Sequence, residues 1–262
     1  MRRALVICPN CDGRNVRLAR LLSLRDRLWR FVFSGPFRCF DCYHRFWTGI
    51  MVEFHSREIA GKYNRFAAWY DYLETLLGLL GLKKLRKSIL AEASGKVLEV
   101  AIGTGQNLQH YRSDCDIIGV DISDGMLTIA RQQAEKTRIS AQLSLADAEA
   151  LPFPNDCFDT VVSSLSLCTF PNPTVALQEM ARVSKPSSPI LLLEHGRSNR
   201  RWLGRFQDEQ ADKFAQPLGC HWNREPLDLI ESAGLKVIGT ERNFFGVFHR
   251  ITAVPGRATT PP

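Results

Sequence analysis

The chain has 262 residues, of which 45% are apolar and 23% charged, the composition of a folded globular protein and not of a disordered one. No apolar run approaches the ~18 residues of a membrane span, and the opening MRRALVICPN is too short in apolar residues before Pro9 for a secretory signal, so the expected compartment is the reducing cytoplasm. The net charge of +7 is uneven: residues 1–55 carry ten arginines against Asp12, Asp26, Asp41 and Glu53, whereas the remaining 207 residues hold 24 bases and 23 acids.

The basic N-terminal segment contains two cysteine pairs, Cys8-Pro-Asn-Cys11 and Cys39-Phe-Asp-Cys42. A two-residue gap turns both thiolates of a pair toward one ion, and two such pairs complete the tetrahedral shell of a structural zinc. The 27 residues between the pairs exceed the usual ~15–20, a length that a ribbon loop absorbs without moving its knuckles. A segment of about 50 residues buries too little core to stand without such a staple. Residues 1–55 therefore read as a zinc-ribbon-like module with Cys8, Cys11, Cys39 and Cys42 as ligands. Between its knuckles runs LARLLSLRDRLWRFVF, which on a helix aligns Leu21, Leu24, Leu28 and Phe31 among arginines. That arm either packs on the main domain or makes peripheral contact with anionic lipid; nucleic acid is a further option.

Residues 56–94 have helical spacing, with Gly78 and Gly81 as breaks. From residue 95 short apolar strands alternate with helical stretches: KVLEVA, DIIGVD, AQLSLA, FDTVVSSLSL and PILLLEH, with helices expected after Gly105, Ser123 and Pro173. The pattern predicts an α/β fold, a doubly wound and mostly parallel sheet with helices on both faces. After His195 the chain reads as an arginine-rich insertion and then a helix near Glu225 to Ala233. Two last strands, LKVIGTERN and GVFHRITAV, pair antiparallel and bring the sheet to seven; residues 255–262 form a frayed tail.

The stretch KVLEVAIGTGQNL ends its strand in Gly103 and Gly105, which permit a tight turn and close approach of a ligand. A glycine pair alone is weak evidence. The second strand adds to it, ending at Asp121, eighteen residues after Gly103 and near the ~20 expected of a carboxylate that grips a ribose diol. The third strand ends at Asp147-Ala148, and the fourth brings its own end to the same crevice. A dinucleotide-binding turn requires a third glycine, where a helix N-terminus meets pyrophosphate. Here Gln106, Asn107 and Leu108 follow Gly105. A cofactor without phosphate does not need that feature.

With these motifs, residues 60–252 resemble class I S-adenosylmethionine-dependent methyltransferases, whose first turn reads E-x-G-x-G-x-G against Glu99-Val-Ala101-Ile-Gly103-Thr-Gly105 here. The resemblance implies a Rossmann-like seven-stranded fold over residues 95–254, preceded by a helical lid over 56–94. It also implies S-adenosylmethionine as cofactor. Glu99, Ala101, Gly103 and Gly105 then lie near its amino-acid part and Asp121 at its ribose. Ile122 and Met126 stand beside the adenine, Asp147 and Ala148 at the adenine edge, and Ser163 with its neighbours on the floor. Ala101 departs from the family glycine. The stretches YNRFAAWYDYLE, FDTVVSSLSLCTFPNP, LLLEHGRS and GCHWNRE resemble a narrower set of quinone C-methyltransferases, phosphatidylethanolamine N-methyltransferases and membrane-associated thiol methyltransferases. These stretches imply a small, apolar or lipid-like acceptor.

Methyl transfer from a sulfonium is an in-line displacement that needs alignment first and a base only if the acceptor must lose a proton. Glu194, His195 and His221 are the candidates for catalysis, each with the alternative of holding a loop, while Cys168 and Cys220 read as packed thiols. A competing reading makes the chain a cofactor-binding regulator that reaches nucleic acid or a protein partner through its ribbon.

Overall fold

The computed structural model describes residues 16–18, 36–39, 45–47, 56, 58–65 and 81–256. Cys8, Cys11, Cys42, most of the arginine-rich arm and the end of the tail lie outside the described residues. Within the N-terminal segment, β1 (Val16–Leu18), β2 (Pro36–Cys39) and β3 (Arg45–Trp47) form an antiparallel three-stranded sheet in the order β1-β2-β3. Cys39 closes β2 opposite Val16.

The main sheet contains β4 (Lys96–Val100), β5 (Asp116–Asp121), β6 (Ala141–Leu145), β7 (Thr160–Ser164), β8 (Ile190–His195), β9 (Leu235–Asn243) and β10 (Phe248–Pro255). Their order is β6-β5-β4-β7-β8-β10-β9. The first five run parallel, and β10 is antiparallel to both β8 and β9. The expected seven-stranded, mostly parallel sheet with an antiparallel final pair is present.

Helices cover both faces: α1 (Lys83–Leu90), α2 (Asp124–Thr137), α3 (Pro173–Val183), α4 (Arg201–Leu218) and α5 (Pro226–Ser232). The strands β4, β7 and β8 are nearly continuous apolar runs because helices shield both their sides. Alternate residues feed two cores. Leu98, Val100, Val161 and Leu192 meet Leu177 and Met180 of α3. Val97, Val162, Leu191 and Leu193 belong to the opposite cluster with Ile89, Leu90 and Leu127. Full burial of each such side chain contributes roughly 1.5–3 kcal/mol.

Two expectations are corrected. No long helix follows Gly105; the segment holds a single 3-10 turn, Leu108–His110. The cause lies inward: Asn107 and Tyr111 point their polar ends at the buried Glu99 carboxylate, which pins this short connection. The stretch after His195, read as an arginine-rich insertion ahead of a helix, itself enters the 18-residue helix α4. Among its described side chains the buried ones, Gly204, Gln207, Ala211 and Ala215, recur at three- and four-residue spacing, but they are small or polar. Trp202 and Phe206 are 67% and 49% exposed.

Candidate active site

The carboxyl ends of β4, β5, β6 and β7 open onto one cleft of about 680 Å³, part of it open to solvent. A parallel sheet places its crevice here, where connections leave the central strand in opposite directions. Ala101 and Gly103 line it after β4, Val120 to Ile122 at β5, Ala146 to Ala148 after β6, and Ser164 to Ser166 at β7. Met126 on α2 and Ser56, Ile59 and Tyr63 of the segment before the main sheet line it as well, with Thr169 to Pro171.

The glycine turn is shaped by left-handed backbone. Gly103 has φ +59°, and a Cβ there would meet nothing within 4 Å. Its open side is the cleft. Gly105 has φ +80°, and a Cβ would press on Leu108 and Ala130, so it packs the turn against α2 instead of touching the cleft. Ala101 also adopts the left-handed region at φ 55°, the conformation that a glycine takes without penalty. Ala101→Gly should raise stability by roughly 0.5–1 kcal/mol, the relief of left-handed strain less the flexibility gained by the unfolded chain. Urea unfolding at an unchanged slope reads this as a higher midpoint.

Asp121 ends β5 and holds this turn. One oxygen accepts from Gly103 N at 2.9 Å and the other from Ser123 N at 2.8 Å. Burial pushes its pKa up to about 6, against the pull of these amides. Ser123 caps α2 through Met126 N at 3.1 Å. Its hydroxyl also donates to Asn64 Oδ1 at 2.6 Å, and Gly125 N donates to the same oxygen at 3.0 Å. Asn64 thus docks the helical segment 58–65 on the start of α2. Lys62 ties the same segment to the Ala215 carbonyl of α4. Asp147 turns its own loop by accepting from Glu149 N at 3.0 Å.

Glu99 does not line the cleft. Its carboxylate accepts from Asn107 Nδ2 at 2.7 Å and Tyr111 Oη at 2.9 Å, while Arg86 donates to Asn107 Oδ1 at 2.5 Å. Burial pushes its pKa up to about 7. Glu99 braces the turn from behind. Ser163 is also buried, with its hydroxyl on Ser166.

Glu194 clamps the loop that forms the cleft floor. Its oxygens accept from Ser166 N at 3.0 Å, Leu167 N at 3.2 Å and Ser166 Oγ at 3.2 Å. Burial pushes its pKa up to about 7. The clamped loop includes Leu165, which lines the cleft in the left-handed region at φ 55°. Backbone strain of this kind persists only where the surroundings enforce it.

His195 and His221 lie beside the cleft, not in its lining. His195 Nε2 is 3.5 Å from Cys220 Sγ. Burial works against protonation of His195, but the facing Cys220 sulfur outweighs it and holds the imidazole above its ordinary pKa. His221 donates its backbone N–H to the Cys168 carbonyl at 2.9 Å. Burial, joined by the Arg224 charge, holds its imidazole below the ordinary value. Cys168 and Cys220, expected as separate packed thiols, come together with His195, their donor atoms all within 4.8 Å of one another. The neighbouring Cys168 sulfur lowers the Cys220 thiol, and Cys220 with burial raises that of Cys168, whose Sγ–H donates to the Leu165 carbonyl at 3.8 Å. Sequence reasoning passed over this convergence and the lining residues Ser56, Ile59, Thr169 and Phe170. The stretch YNRFAAWYDYLE was the available signal for Tyr63.

The family model described as "Methyltransferase domain" matches residues 98–192, the segment that builds β4 to β8 and the cleft. The chain is an S-adenosylmethionine-dependent methyltransferase. This methyltransferase is 29% identical over 210 residues to the ubiquinone/menaquinone biosynthesis C-methyltransferase UbiE of Burkholderia mallei, covering 70% of this chain and 86% of that protein. It is 26% identical over 220 residues to the mitochondrial methyltransferase OMS1 of Saccharomyces cerevisiae, covering 76% of this chain and 46% of that longer relative. The fold is shared with an S-adenosylmethionine-dependent methyltransferase from Thermotoga maritima, at TM-score 0.59 and 22% identity over 75% of this chain and 99% of that one. A methyltransferase from Bacillus halodurans is similar at TM-score 0.54 and 23% identity, over 61% of this chain and 71% of that one.

Proposed function

We propose that this methyltransferase acts on a small, apolar or lipid-like acceptor of the quinone, phospholipid-amine or thiol class. The observation that carries this reading is the wall chemistry of the cleft. Among its described lining residues, Asp121 and Asp147 bear the formal charges, both negative, and Ile59, Tyr63, Leu165, Phe170 and Pro171 supply an apolar wall. No basic side chain lines the cleft among the described residues. The name of the bacterial relative, a quinone-biosynthesis C-methyltransferase, agrees with an apolar acceptor.

In this reading Asp121 accepts the ribose hydroxyls of S-adenosylmethionine, and the open face of Gly103 admits the amino-acid part. Ile122, Met126, Asp147 and Ala148 surround the adenine. Ala101, Ser164 and Leu165 shape the floor, while Glu99, Gly105, Ser163 and Glu194 support these residues from behind. The bound cofactor supplies an electrophilic methyl on a sulfonium, and the protein aligns the acceptor with it. The segment 58–65 covers part of the cleft through Ile59 and Tyr63. We assign residues 1–55 to a basic zinc-ribbon module held by Cys8, Cys11, Cys39 and Cys42, a reading supported by the short antiparallel sheet that ends β2 at Cys39. Residues 56–94 are the lid and 95–254 the catalytic domain. The setting is cytoplasmic, with peripheral membrane contact through the module. Among the described residues, no helix is long and apolar enough to cross a membrane.

His221 positions the acceptor. His221→Ala should raise the Michaelis constant for the acceptor and lower turnover by less than ~10²-fold, with S-adenosylhomocysteine affinity unchanged. A larger loss of turnover, with disappearance of an acidic limb below the ordinary histidine pKa, would make it a general base instead. Steady-state kinetics with a quinol, a phosphatidylethanolamine and an alkyl thiol test both the acceptor class and this role. Turnover with hydrophilic acceptors alone would reject the apolar reading.

A further inference from the structure

We infer that Cys168, His195 and Cys220 form a zinc-binding site beside the cleft, separate from the N-terminal cysteine pairs. The three residues come from distant segments. Cys168 follows β7, His195 ends β8, and Cys220 follows Gly219, whose left-handed backbone at φ 69° ends α4 and turns the chain back. Their donor atoms converge within 4.8 Å of one another. A tetrahedral zinc with sulfur at ~2.3 Å and imidazole nitrogen at ~2.0–2.1 Å separates two such donors by about 3.6 Å. The Cys220 Sγ to His195 Nε2 distance is 3.5 Å.

The site is held by bonds that do not depend on an ion. His221 N donates to the Cys168 carbonyl at 2.9 Å and so joins the two cysteine segments. Arg224 Nη1 donates to the carbonyls of Leu167 and Phe170 at 2.5 and 2.8 Å, fixing the chain on either side of Cys168. His195 is fixed by the register of β8 against β10, opposite Phe248. These anchors supply the preorganisation that a metal site needs.

The donor set selects the ion. Two sulfurs and an imidazole suit zinc and disfavour calcium or magnesium, which take oxygen donors. Two thiolates neutralise the divalent charge at a site where Cys168 is buried and His195 and Cys220 are half-buried. Glu194, adjacent in sequence to His195, is already committed to Ser166 and Leu167. Three protein donors leave the fourth position for water or an exogenous ligand, the arrangement of an open zinc site. A disulfide between the two cysteines would account for the sulfurs but leave the placement of His195 without a purpose.

The inference does not rest on the acceptor class and is tested on the full-length chain by metal content. The Cys168→Ala/Cys220→Ser double variant should carry one equivalent less zinc than the wild type, whatever the N-terminal cysteines hold. Equal zinc contents would overturn the site, as would a Cys168–Cys220 disulfide in mass analysis of wild type alkylated before denaturation. Since the double variant can lose its fold, X-ray absorption at the zinc edge is also recorded on the full-length chain with Cys8→Ser and Cys11→Ser. Zinc bound by two sulfurs and at least one imidazole is expected; absence of zinc, or an all-sulfur shell, would contradict it.

Discussion

Asp121→Ala should weaken S-adenosylhomocysteine binding at least tenfold and as much as several hundredfold. The carboxylate lies at the carboxyl end of β5, lines the cleft, and holds the amides of Gly103 and Ser123 at 2.9 and 2.8 Å. Substitution removes a charged acceptor for the ribose, worth about 1.5–3 kcal/mol per hydrogen bond, and it frees the glycine turn as well. Each 1.4 kcal/mol is about tenfold in affinity. The pH dependence gives a second reading. With the unliganded pKa raised to about 6 by burial, and ribose hydroxyls favouring the ionised form, affinity should fall as the pH drops below about 6. Asp121→Asn should lack that fall. Calorimetry on folded variants decides it; an unchanged dissociation constant in Asp121→Ala would remove the residue from the site.

Glu194→Ala should cost about 3 kcal/mol or more of stability. It leaves the buried amides of Ser166 and Leu167 without their acceptor, at roughly 1–3 kcal/mol each, and opens a cavity beneath the cleft floor. Thermal unfolding should drop by roughly 6–12 °C for a domain of this size. The pH sign follows from a folded pKa of about 7 against an ordinary glutamate value of 4.5. The folded state binds more protons between those values. Its contribution is therefore fully present below about 4.5 and is lost as the pH rises through about 7, by up to about 3 kcal/mol. Glu194→Gln should lack this loss, so the stability difference between it and wild type should grow in its favour from pH 5 to 8. A pH-independent difference would mean that Glu194 is not the buried proton acceptor described. Because the clamp also holds Leu165 in left-handed backbone, Glu194→Ala should distort the floor as well as destabilise the fold.

The parts legible in the sequence were those coded locally. Val97 to Val100 form an apolar strand, Gly103 and Gly105 a turn, and Asp121 falls at a spacing set by one strand, one crossover and the next strand. Such signals survive because a parallel sheet puts every strand end on one edge. Ala101 was identified as a departure from the family pattern, and its left-handed backbone is the structural counterpart. What could not be read depends on packing. Among the described side chains of α4 the buried ones are Gly204, Gln207, Ala211 and Ala215, so hydrophobic spacing gave little sign of them. Gln207 is buried there because its amide bonds the Ser198 amide and the Gly196 and Trp222 carbonyls. Glu99 reads as a cofactor residue from its motif, but its buried carboxylate lies outside the cleft lining, bonded to Asn107 and Tyr111 of the turn. Cys168, His195 and Cys220 lie 27 and 25 residues apart on three separate segments, and no short sequence window contains them all.

The most direct test of the account supplies the purified full-length chain with methyl-labelled S-adenosylmethionine and a mixture of quinols, phospholipids and alkyl thiols, then follows the label by mass. The account predicts S-adenosylhomocysteine in amounts equal to a labelled apolar product, with both abolished or strongly reduced in Asp121→Ala. Tight cofactor binding with no label transferred to any apolar acceptor would contradict the proposed acceptor class, and failure to bind the cofactor at all would contradict the site itself.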